Sequence, residues 1–241
     1  MNPKPEILEE FIACELPAEI WVGYAPHAFI KRAFSNPKDL GFSIEHLSEC
    51  ALLRKDIFEH VNNRNISDFE CLISILAWGQ IRYNNLRYAA PMFAEICKII
   101  KTLRTEPVDR RSAYKMFIDL RSRGLKGIGP AYFTKIIYFC TQKSIDRGYI
   151  LDQWTGRSTN LIFAEEVVIL DKFSTLQRVS DKNSEKNYDN FCRGVEILTE
   201  KFKRLNEPSN LVLSSDEVER KMFSSGGRKK GSWREFVLSH T

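Results

Sequence analysis

The amino-acid sequence predicts an all-α protein. In segment after segment, apolar residues recur at the helical spacing i, i+3, i+4 and i+7. Capping residues or prolines precede several of these segments, and glycine or proline follows them. Only two runs are strand-like, Ile20–Tyr24 and Val167–Leu170, and we base no prediction on either.

The helices are predicted in chain order from these signals. Ser67 supplies an N-cap, 214–217 form a capping box, and Gly124 ends a helix. A polar break is predicted at 83–85. The predicted helices cover 6–14, 43–61, 67–78, 86–103, 112–123, 130–141, a segment beginning near 152, 188–205, and a last segment from 214 to before 226.

The length and composition are those of an ordinary globular protein. The 241 residues are 43% hydrophobic and 28% charged. This length is sufficient to bury a core without disulfides or a structural metal. The composition also excludes collagen-like and disordered classes. We predict a single unit over residues 1–241, built as one large domain or as two small ones around a shared core.

Cysteine spacing and the lengths of the apolar runs bear on compartment and cofactors. The six cysteines lie at least 21 residues apart, so no C-x-x-C pair supports a zinc or iron–sulfur site. We expect buried free thiols, no metal and no cofactor. The amino terminus has no apolar signal-peptide core, and no run approaches the ~18 apolar residues of a membrane span. We therefore expect a cytoplasmic protein with no membrane contact.

Positive charge is concentrated in two segments. The chain has 36 basic and 31 acidic residues, a net charge of +5. Residues 98–126 contain nine Lys or Arg against three Asp or Glu, and residues 220–234 contain six Lys or Arg and no acid. This distribution indicates a surface that binds a polyanion, with nucleic acid as the leading candidate. A charged face that is merely solvated explains the distribution equally well. The densest cluster is Arg228, Lys229 and Lys230.

Residues 124–129, Gly-Leu-Lys-Gly-Ile-Gly, join two amphipathic helices. Leu125 and Ile128 can pack into the junction, while glycine permits a turn that side chains would obstruct. The unpaired N–H groups of the helix that begins at Pro130 then face outward and can hold a phosphate. An ordinary tight helix–helix turn is the alternative. The residues of this candidate phosphate seat are Lys126, Gly127, Gly129 and Ala131.

Asp152 is the second feature that carries chemistry. It ends the apolar run Tyr149–Leu151 and follows Gly129 by 23 residues. An N-cap is its structural interpretation. Capping and catalysis are compatible, because the positive end of a helix would keep the carboxylate ionised in a dry cleft.

These features resemble the helix-hairpin-helix superfamily of base-excision DNA glycosylases, specifically its bacterial branch of 8-oxoguanine DNA glycosylase-fold proteins. The resemblance implies two helical subdomains that flank a cleft. The hairpin motif, about 112–141, and the aspartate segment, 148–160, would line that cleft, and C-terminal helices would follow over 184–237. The segments that carry the resemblance are SILAWGQIR at 74–82, LKGIGPAYFTKIIYF at 125–139, GYILDQWTGRSTN at 148–160, YDNFCRGVEIL at 188–198 and ERKMFSSGGRKKGSWREFV at 219–237.

The resemblance also implies an activity and roles for particular residues. Such enzymes flip a damaged base out of double-stranded DNA and cut its N-glycosidic bond, here that of an oxidised guanine such as 8-oxoguanine. Asp152 would stabilise positive charge on the sugar and align the nucleophile. Gln80 would fill the gap left by the flipped base, with a surface glutamine as the alternative. Candidates for base stacking are Trp78, Trp154 and Trp233, and core packing is the alternative for each.

One position departs from the family pattern. Bifunctional members carry a nucleophilic lysine directly after the hairpin, where this chain has Ala131. Lys135 follows one helical turn later on the same face, opposite an apolar stripe. We expect Lys135 to act as the amine nucleophile of an abasic-site lyase, made partly neutral by burial or by the positive charge of Lys126 or Arg157. A phosphate contact or a solvated lysine is the alternative.

Two other functions stay open at this point. Relatives of this branch are encoded in some bacterial cyclic-oligonucleotide antiphage operons beside deazaguanine-type enzymes, so the bond that is cut could belong to an unusual nucleotide or conjugate. A non-catalytic DNA-binding module that kept the hairpin is the third reading, and Asp152 with its apolar run argues against it. No segment identifies a protein partner.

Overall fold

The computed structural model describes residues 1–141, 146–173, 176–205, 213–224 and 230–241. Strands β1 (Leu170–Phe173) and β2 (Leu176–Val179) pair as an antiparallel ribbon. The rest of the regular structure in these ranges is helical, which confirms the predicted all-α class. The helices are α1 (Pro5–Ala13), α2 (Pro26–Ala33), α3 (Arg54–Asn62), α4 (Asp68–Trp78), α5 (Tyr83–Ala89), α6 (Phe93–Thr105), α7 (Arg110–Ser122), α8 (Pro130–Cys140), α9 (Gln153–Phe163), α10 (Glu185–Leu205), α11 (Ser215–Phe223) and α12 (Ser232–His240), with 3₁₀ turns at Pro37–Leu40 and Ala90–Met92.

The chain divides into two compact units, as the fold prediction of two helical subdomains requires. Unit 1 comprises Met1–Glu19 and Tyr149–Thr241, so the first helix joins the carboxyl-terminal helices. Unit 2 is the continuous segment Ile20–Gly148 and contains the hairpin.

Helix α4 is the centre of unit 2. Every residue from Phe69 to Trp78 is buried, as expected for a helix that is covered on all sides. Ser67 is its N-cap, as predicted, and the start is a full capping box: the Ser67 hydroxyl accepts a hydrogen bond from the Glu70 N–H, and the Glu70 carboxylate accepts one from the Ser67 N–H. Helices α2, α3, α6 and α8 pack around α4. The position of its carboxyl end is therefore fixed by the core.

Unit 1 is built on α9, against which α10, α11, α12 and α1 pack. Trp233 of α12 lies edge-on to Phe11 of α1, with ring centroids 4.7 Å apart. Its indole N–H donates to the Ser158 hydroxyl of α9 at 2.9 Å. Lys221 of α11 donates to the Ile12 carbonyl at 3.2 Å and also to that of Cys14, which ties the end of α1 to this core.

Several predicted boundaries are wrong, and local hydrogen bonds explain the differences. The helix predicted over 43–61 is helical only from Arg54, because earlier backbone groups bond to side chains, as the His46 N–H does to Glu70. The predicted break at 83–85 is instead the first turn of α5. Helix α7 begins at Arg110, since the Asp109 carboxylate caps it by accepting from the Ser112 N–H.

Two helices, α2 and α12, were not predicted, and α12 follows the segment predicted to be last. Neither strand-like run is a strand as written. Residues 20–24 have no strand partner in the described structure, and β1 overlaps 167–170 only at Leu170.

Candidate active site

The hairpin between α7 and α8 has the predicted construction. Gly124 and Gly127 adopt positive φ angles of 113° and 80°, which L side chains rarely adopt. A Cβ at Gly127 would collide with the carbonyl oxygen of Asn85, so the turn also approaches α5 closely. Leu125 and Ile128 are buried beneath the turn. The Arg121 guanidinium donates to the Ile128 carbonyl at 2.8 Å and closes the loop.

The amino end of α8 is the place where the sequence predicts a phosphate seat. Gly129 is the N-cap and Pro130, which has no N–H, is the first helical residue. The Gly129 carbonyl accepts from the N–H groups of Tyr132 and Phe133. Within the described ranges no backbone carbonyl accepts from the N–H of Gly129 or Ala131. Lys126, in the preceding turn, is exposed, and Gly129 and Ala131 are partly exposed.

The second basic segment is described only in part. Lys230 is exposed and precedes α12 in unit 1. Arg228 and Lys229 lie outside the described residues. Arg234, the last basic residue of the segment, is buried, so its charge does not belong to a solvated surface.

Lys135 is nearly buried, with 9% of its surface exposed. Its Nζ donates to the carbonyl oxygen of Ala131 at 2.6 Å and lies 5.6 Å from the centre of the Tyr132 ring. Its stem packs against Gly79, where an added Cβ would lie 2.9 Å from Lys135 Cδ. The side chain is therefore held in one orientation, with its amine one turn back along α8.

The structure brings Lys135 together with other polar and aromatic groups of unit 2. Gly79, which packs on the Lys135 stem, is followed by Gln80, whose amide donates to the Val22 carbonyl at 3.5 Å. The Tyr132 hydroxyl interacts electrostatically with Arg82 and Tyr24; burial raises the pKa of Tyr132, Arg82 opposes that rise and Tyr24 adds to it. We call this set the Lys135 cluster. Its members are Tyr24, Gln80, Arg82, Tyr132 and Lys135.

Gln80 has an unusual backbone conformation. Its φ angle is 51°, in the left-handed region, where non-glycine residues are uncommon outside turns and functional sites. Its N–H donates to the Ala77 carbonyl at 3.1 Å, so the chain reverses directly at the end of α4. The side chain is exposed. This conformation places Gln80 directly at the end of α4, and its role in the gap left by a flipped base stays a prediction.

Asp152 is the N-cap of α9, as predicted. Its Oδ1 accepts from the N–H groups of Trp154 at 2.8 Å and Thr155 at 3.1 Å. The Thr155 hydroxyl accepts in return from the Asp152 N–H at 2.9 Å, which completes a capping box. No donor within the described ranges reaches Oδ2. Asp152 is partly buried, and these hydrogen bonds fix its carboxylate through one oxygen.

Two buried arginines lie over the ring of Trp154, two residues after Asp152 in unit 1. The Arg234 guanidinium lies 4.4 Å from the centre of the Trp154 ring, and that of Arg157 lies 5.1 Å from it. Burial lowers the pKa of Arg234, and the Asp152 carboxylate opposes that shift. Burial also lowers the pKa of Arg157, which donates to the Thr241 hydroxyl. We call Asp152, Trp154, Arg157 and Arg234 the Asp152 cluster.

The three predicted stacking tryptophans have different environments. Trp154 is half-buried beneath the two guanidinium groups. Trp78 is 5% exposed and packs edge-on to Phe139, and Trp233 is fully buried. Trp78 and Trp233 are therefore core residues, and neither is exposed enough to stack on a base. The fixed aromatic residue that sequence reasoning missed is Tyr24, which lies in a run set aside as a doubtful strand.

The thiols show no metal-site arrangement. The six cysteines are free, and Cys71, Cys140 and Cys192 are buried, whereas Cys50 is exposed, contrary to prediction. Burial raises the pKa of Cys71 and of Cys97 to about 12, so both stay protonated thiols near neutral pH. Among the described residues no three His, Cys, Asp or Glu side chains are grouped to hold a metal ion. Nor does that part of the chain contain a helix with the length and apolar character needed to cross a bilayer.

The described residues form an all-α fold in which a glycine-containing turn joins α7 to α8. A family model described as "Putative 8-oxoguanine DNA glycosylase OGG-like protein" matches residues 14–223. The chain belongs to this OGG-like family. No curated protein and no solved structure matches the chain.

Proposed function

We propose that this protein is a DNA N-glycosylase that releases an oxidised guanine, such as 8-oxoguanine, from double-stranded DNA, with an associated abasic-site lyase activity. The observation that carries the proposal is the Asp152 carboxylate. It is held by two backbone N–H groups through Oδ1, while Oδ2 has no donor among the described residues. Family membership supports the same class of activity.

The proposed role of Asp152 follows from this geometry. Breaking an N-glycosidic bond leaves positive charge on the sugar, and a preorganised carboxylate stabilises that charge without reorienting during the reaction. The N–H groups at the start of α9 favour the ionised form of the carboxylate. One oxygen can therefore maintain the helix cap while the other faces the reacting sugar.

The proposed role of Lys135 is that of the amine nucleophile. After loss of a proton, its Nζ attacks the anomeric carbon and forms a C–N bond. The glycosidic bond breaks, its electron pair leaves with the base, and the base takes up a proton. Opening of the sugar ring then gives an imine between Lys135 and the DNA. This intermediate permits strand cleavage by elimination and can be reduced by borohydride.

Binding would rest on the phosphate seat of the hairpin. The N–H groups of Gly129 and Ala131 and the ammonium of Lys126 present donors to a phosphate and read no base edge. Gln80 would enter the space that the flipped base leaves. Lesion selection would then depend on contacts to the flipped base itself.

The test is an incubation of purified protein with three duplexes of one sequence, containing 8-oxoguanine opposite cytosine, an abasic site, or no modification. Base release from the first duplex and nicking of the second, with neither on the third, are the expected results. Duplex binding without base release would contradict the catalytic part of the proposal. Neither binding nor release on any duplex would contradict the proposal as a whole.

A further inference from the structure

Tyr24 is an exposed aromatic side chain with an aromatic support on one side. It is 41% exposed, and its ring stacks on Phe29, with centroids 5.5 Å apart and planes inclined by 7°. It also stacks on Tyr83 at 6.0 Å, and Phe29 and Tyr83 lie 5.3 Å from each other. The ring centroids of Tyr24, Phe29 and Tyr83 are thus nearly equidistant from one another. This arrangement places Phe29 and Tyr83 on the same side of the Tyr24 ring. If Phe29 and Tyr83 lay on opposite faces of Tyr24, the distance between their centroids would be about twice the observed 5.3 Å. Neither supporting ring therefore covers the other face of Tyr24, which we take as the exposed face.

The backbone of Tyr24 is fixed to the carboxyl end of α4. The Tyr24 N–H donates to the Ala77 carbonyl at 3.0 Å, and the Trp21 indole N–H donates to the Trp78 carbonyl at 3.0 Å. Between them, Gly23 packs so closely on the α4 backbone that a Cβ there would collide with Ala77 and Trp78. The exposed face is thus preorganised and needs little ordering when a ligand binds.

Cationic and polar groups contact residues that neighbour Tyr24. The Arg32 guanidinium lies 5.6 Å from the centre of the Tyr83 ring, and Arg32 itself is exposed. Arg82 is also exposed and, like Tyr24, interacts with the Tyr132 hydroxyl. Gln80 bonds to the carbonyl of Val22, two residues before Tyr24. A flat apolar face beside two guanidinium groups complements a planar base next to its phosphates.

We infer that the exposed face of Tyr24 is a stacking platform for a nucleobase of bound DNA, with Arg32 and Arg82 directed at the adjacent phosphates. This inference rests on the proposed function and adds a binding residue to it, outside the hairpin and the Asp152 cluster. Because every base has a π face, the platform tolerates different sequences. It therefore contributes to affinity for single-stranded as well as duplex DNA.

The experiment measures affinity for a single-stranded oligonucleotide with 2-aminopurine at its centre, at one fixed salt concentration. Tyr24→Ala is expected to weaken binding about 5- to 150-fold, the range for loss of one stacked base. Tyr24→Leu keeps apolar packing on Phe29 without a flat π face and should show a similar loss. Tyr24→Phe keeps the face and should stay within about 3-fold of the native protein. Stacking on the platform also quenches 2-aminopurine fluorescence, and this quenching should disappear with Tyr24→Leu.

Tyr88→Ala is the matched control. Tyr88 is 63% exposed in α5 of the same unit, and no described aromatic ring supports it. Its loss should leave affinity and quenching unchanged. Native affinity and quenching in both Tyr24→Ala and Tyr24→Leu would overturn the inference. If native protein still releases 8-oxoguanine from a duplex in that case, the proposed function stands without the platform. Native protein that binds no DNA would overturn both.

Discussion

The Nζ of Lys135 donates a hydrogen bond to the carbonyl oxygen of Ala131 at 2.6 Å. Side chains of an α-helix lean toward its amino end, so a lysine four residues on returns its amine to the preceding turn. The family resemblance places a nucleophilic lysine at position 131. In this chain the amine from position 135 lies beside that same turn. Contact with Gly79 fixes the stem that carries it.

We expect Lys135→Ala to lose the covalent protein–DNA adduct that borohydride traps on an 8-oxoguanine duplex. Lys135→Arg should lose it too, because a guanidinium keeps the charge but does not form the imine. Trapping is measured by gel at saturating DNA. Lys126→Ala is the control and should give native adduct yield under those conditions. A native yield of adduct from Lys135→Ala would rule out Lys135. Base release by native protein without any adduct would make the enzyme monofunctional, with Asp152 directing water.

Asp152→Asn is expected to lower the rate of base release by a factor on the order of 10²–10³, as for loss of one electrostatic stabiliser. Asparagine caps helices about as well as aspartate, so thermal stability should change little. Asp109→Asn is a matched control, because Asp109 caps α7 through bonds to Arg111 and Ser112. It should leave the single-turnover rate unchanged. Equal rates for Asp152→Asn and native protein would reduce Asp152 to a helix cap.

DNA affinity should fall steeply with salt, with log K decreasing by about 0.9 for each phosphate neutralised per tenfold rise in salt. Lys126→Ala and Lys230→Ala should each weaken binding to every duplex sequence. Each should also reduce the slope of log K against log salt by about 0.9, the value for one phosphate contact. Lys38→Ala removes an exposed lysine outside both basic segments and should change neither quantity. The measurement is a salt titration of affinity by fluorescence anisotropy. An affinity that does not depend on salt would argue against the phosphate seat.

Gly127→Ala should lower the free energy of unfolding by more than about 2 kcal/mol, because it adds a collision with Asn85 to an unfavourable positive φ. Gly124 also has a positive φ, but nothing lies within 4 Å of the Cβ that Gly124→Ala would add. It should cost only about 1–2 kcal/mol for the backbone conformation. Urea unfolding measures both. Equal losses would mean that close packing of the turn on α5 contributes nothing.

Glu70 should make unit 2 sensitive to acid. Burial by itself would raise the pKa of Glu70, but hydrogen bonds from the His46 N–H and from the Ser67 N–H and hydroxyl outweigh it and hold the pKa below its usual range. A carboxylate whose pKa is lower in the folded state stabilises that state above its unfolded pKa, and the effect is lost as pH falls through the folded pKa. Native protein should therefore lose stability below about pH 4.5.

Glu70→Gln should unfold more easily at neutral pH, by about 1–3 kcal/mol, and should lose part of this acid dependence. The measurement is the free energy of unfolding in urea between pH 3 and pH 7. Glu59→Gln, on α3 of the same unit, is the comparison. An unchanged pH profile for Glu70→Gln would show that its hydrogen bonds do not stabilise the ionised form.

Much of the fold could be predicted because its signals are local. Ser67, Asp152 and Ser214 each cap a helix at the residue predicted, since an N-cap depends on a side chain and the two or three N–H groups after it. The helix predicted over 43–61 is absent over 43–53, where the His46 N–H donates to the side chain of Glu70, 24 residues away. The prediction also failed for α12, whose Trp233 and Val237 are buried in unit 1. Such partners cannot be recognised from neighbouring residues.

The sequence by itself determined the helical class, the hairpin glycines, the aspartate at the start of α9 and the absence of a lysine at position 131. Each depends on residue type and short spacing, which a chain displays before it folds. Only the tertiary structure decided that Lys135 is buried against Gly79, that Arg234 lies over Trp154, and that Tyr24 has an aromatic support on one side. These relations join residues far apart in the chain. They exist because packing of the helices within each unit fixes which distant side chains touch.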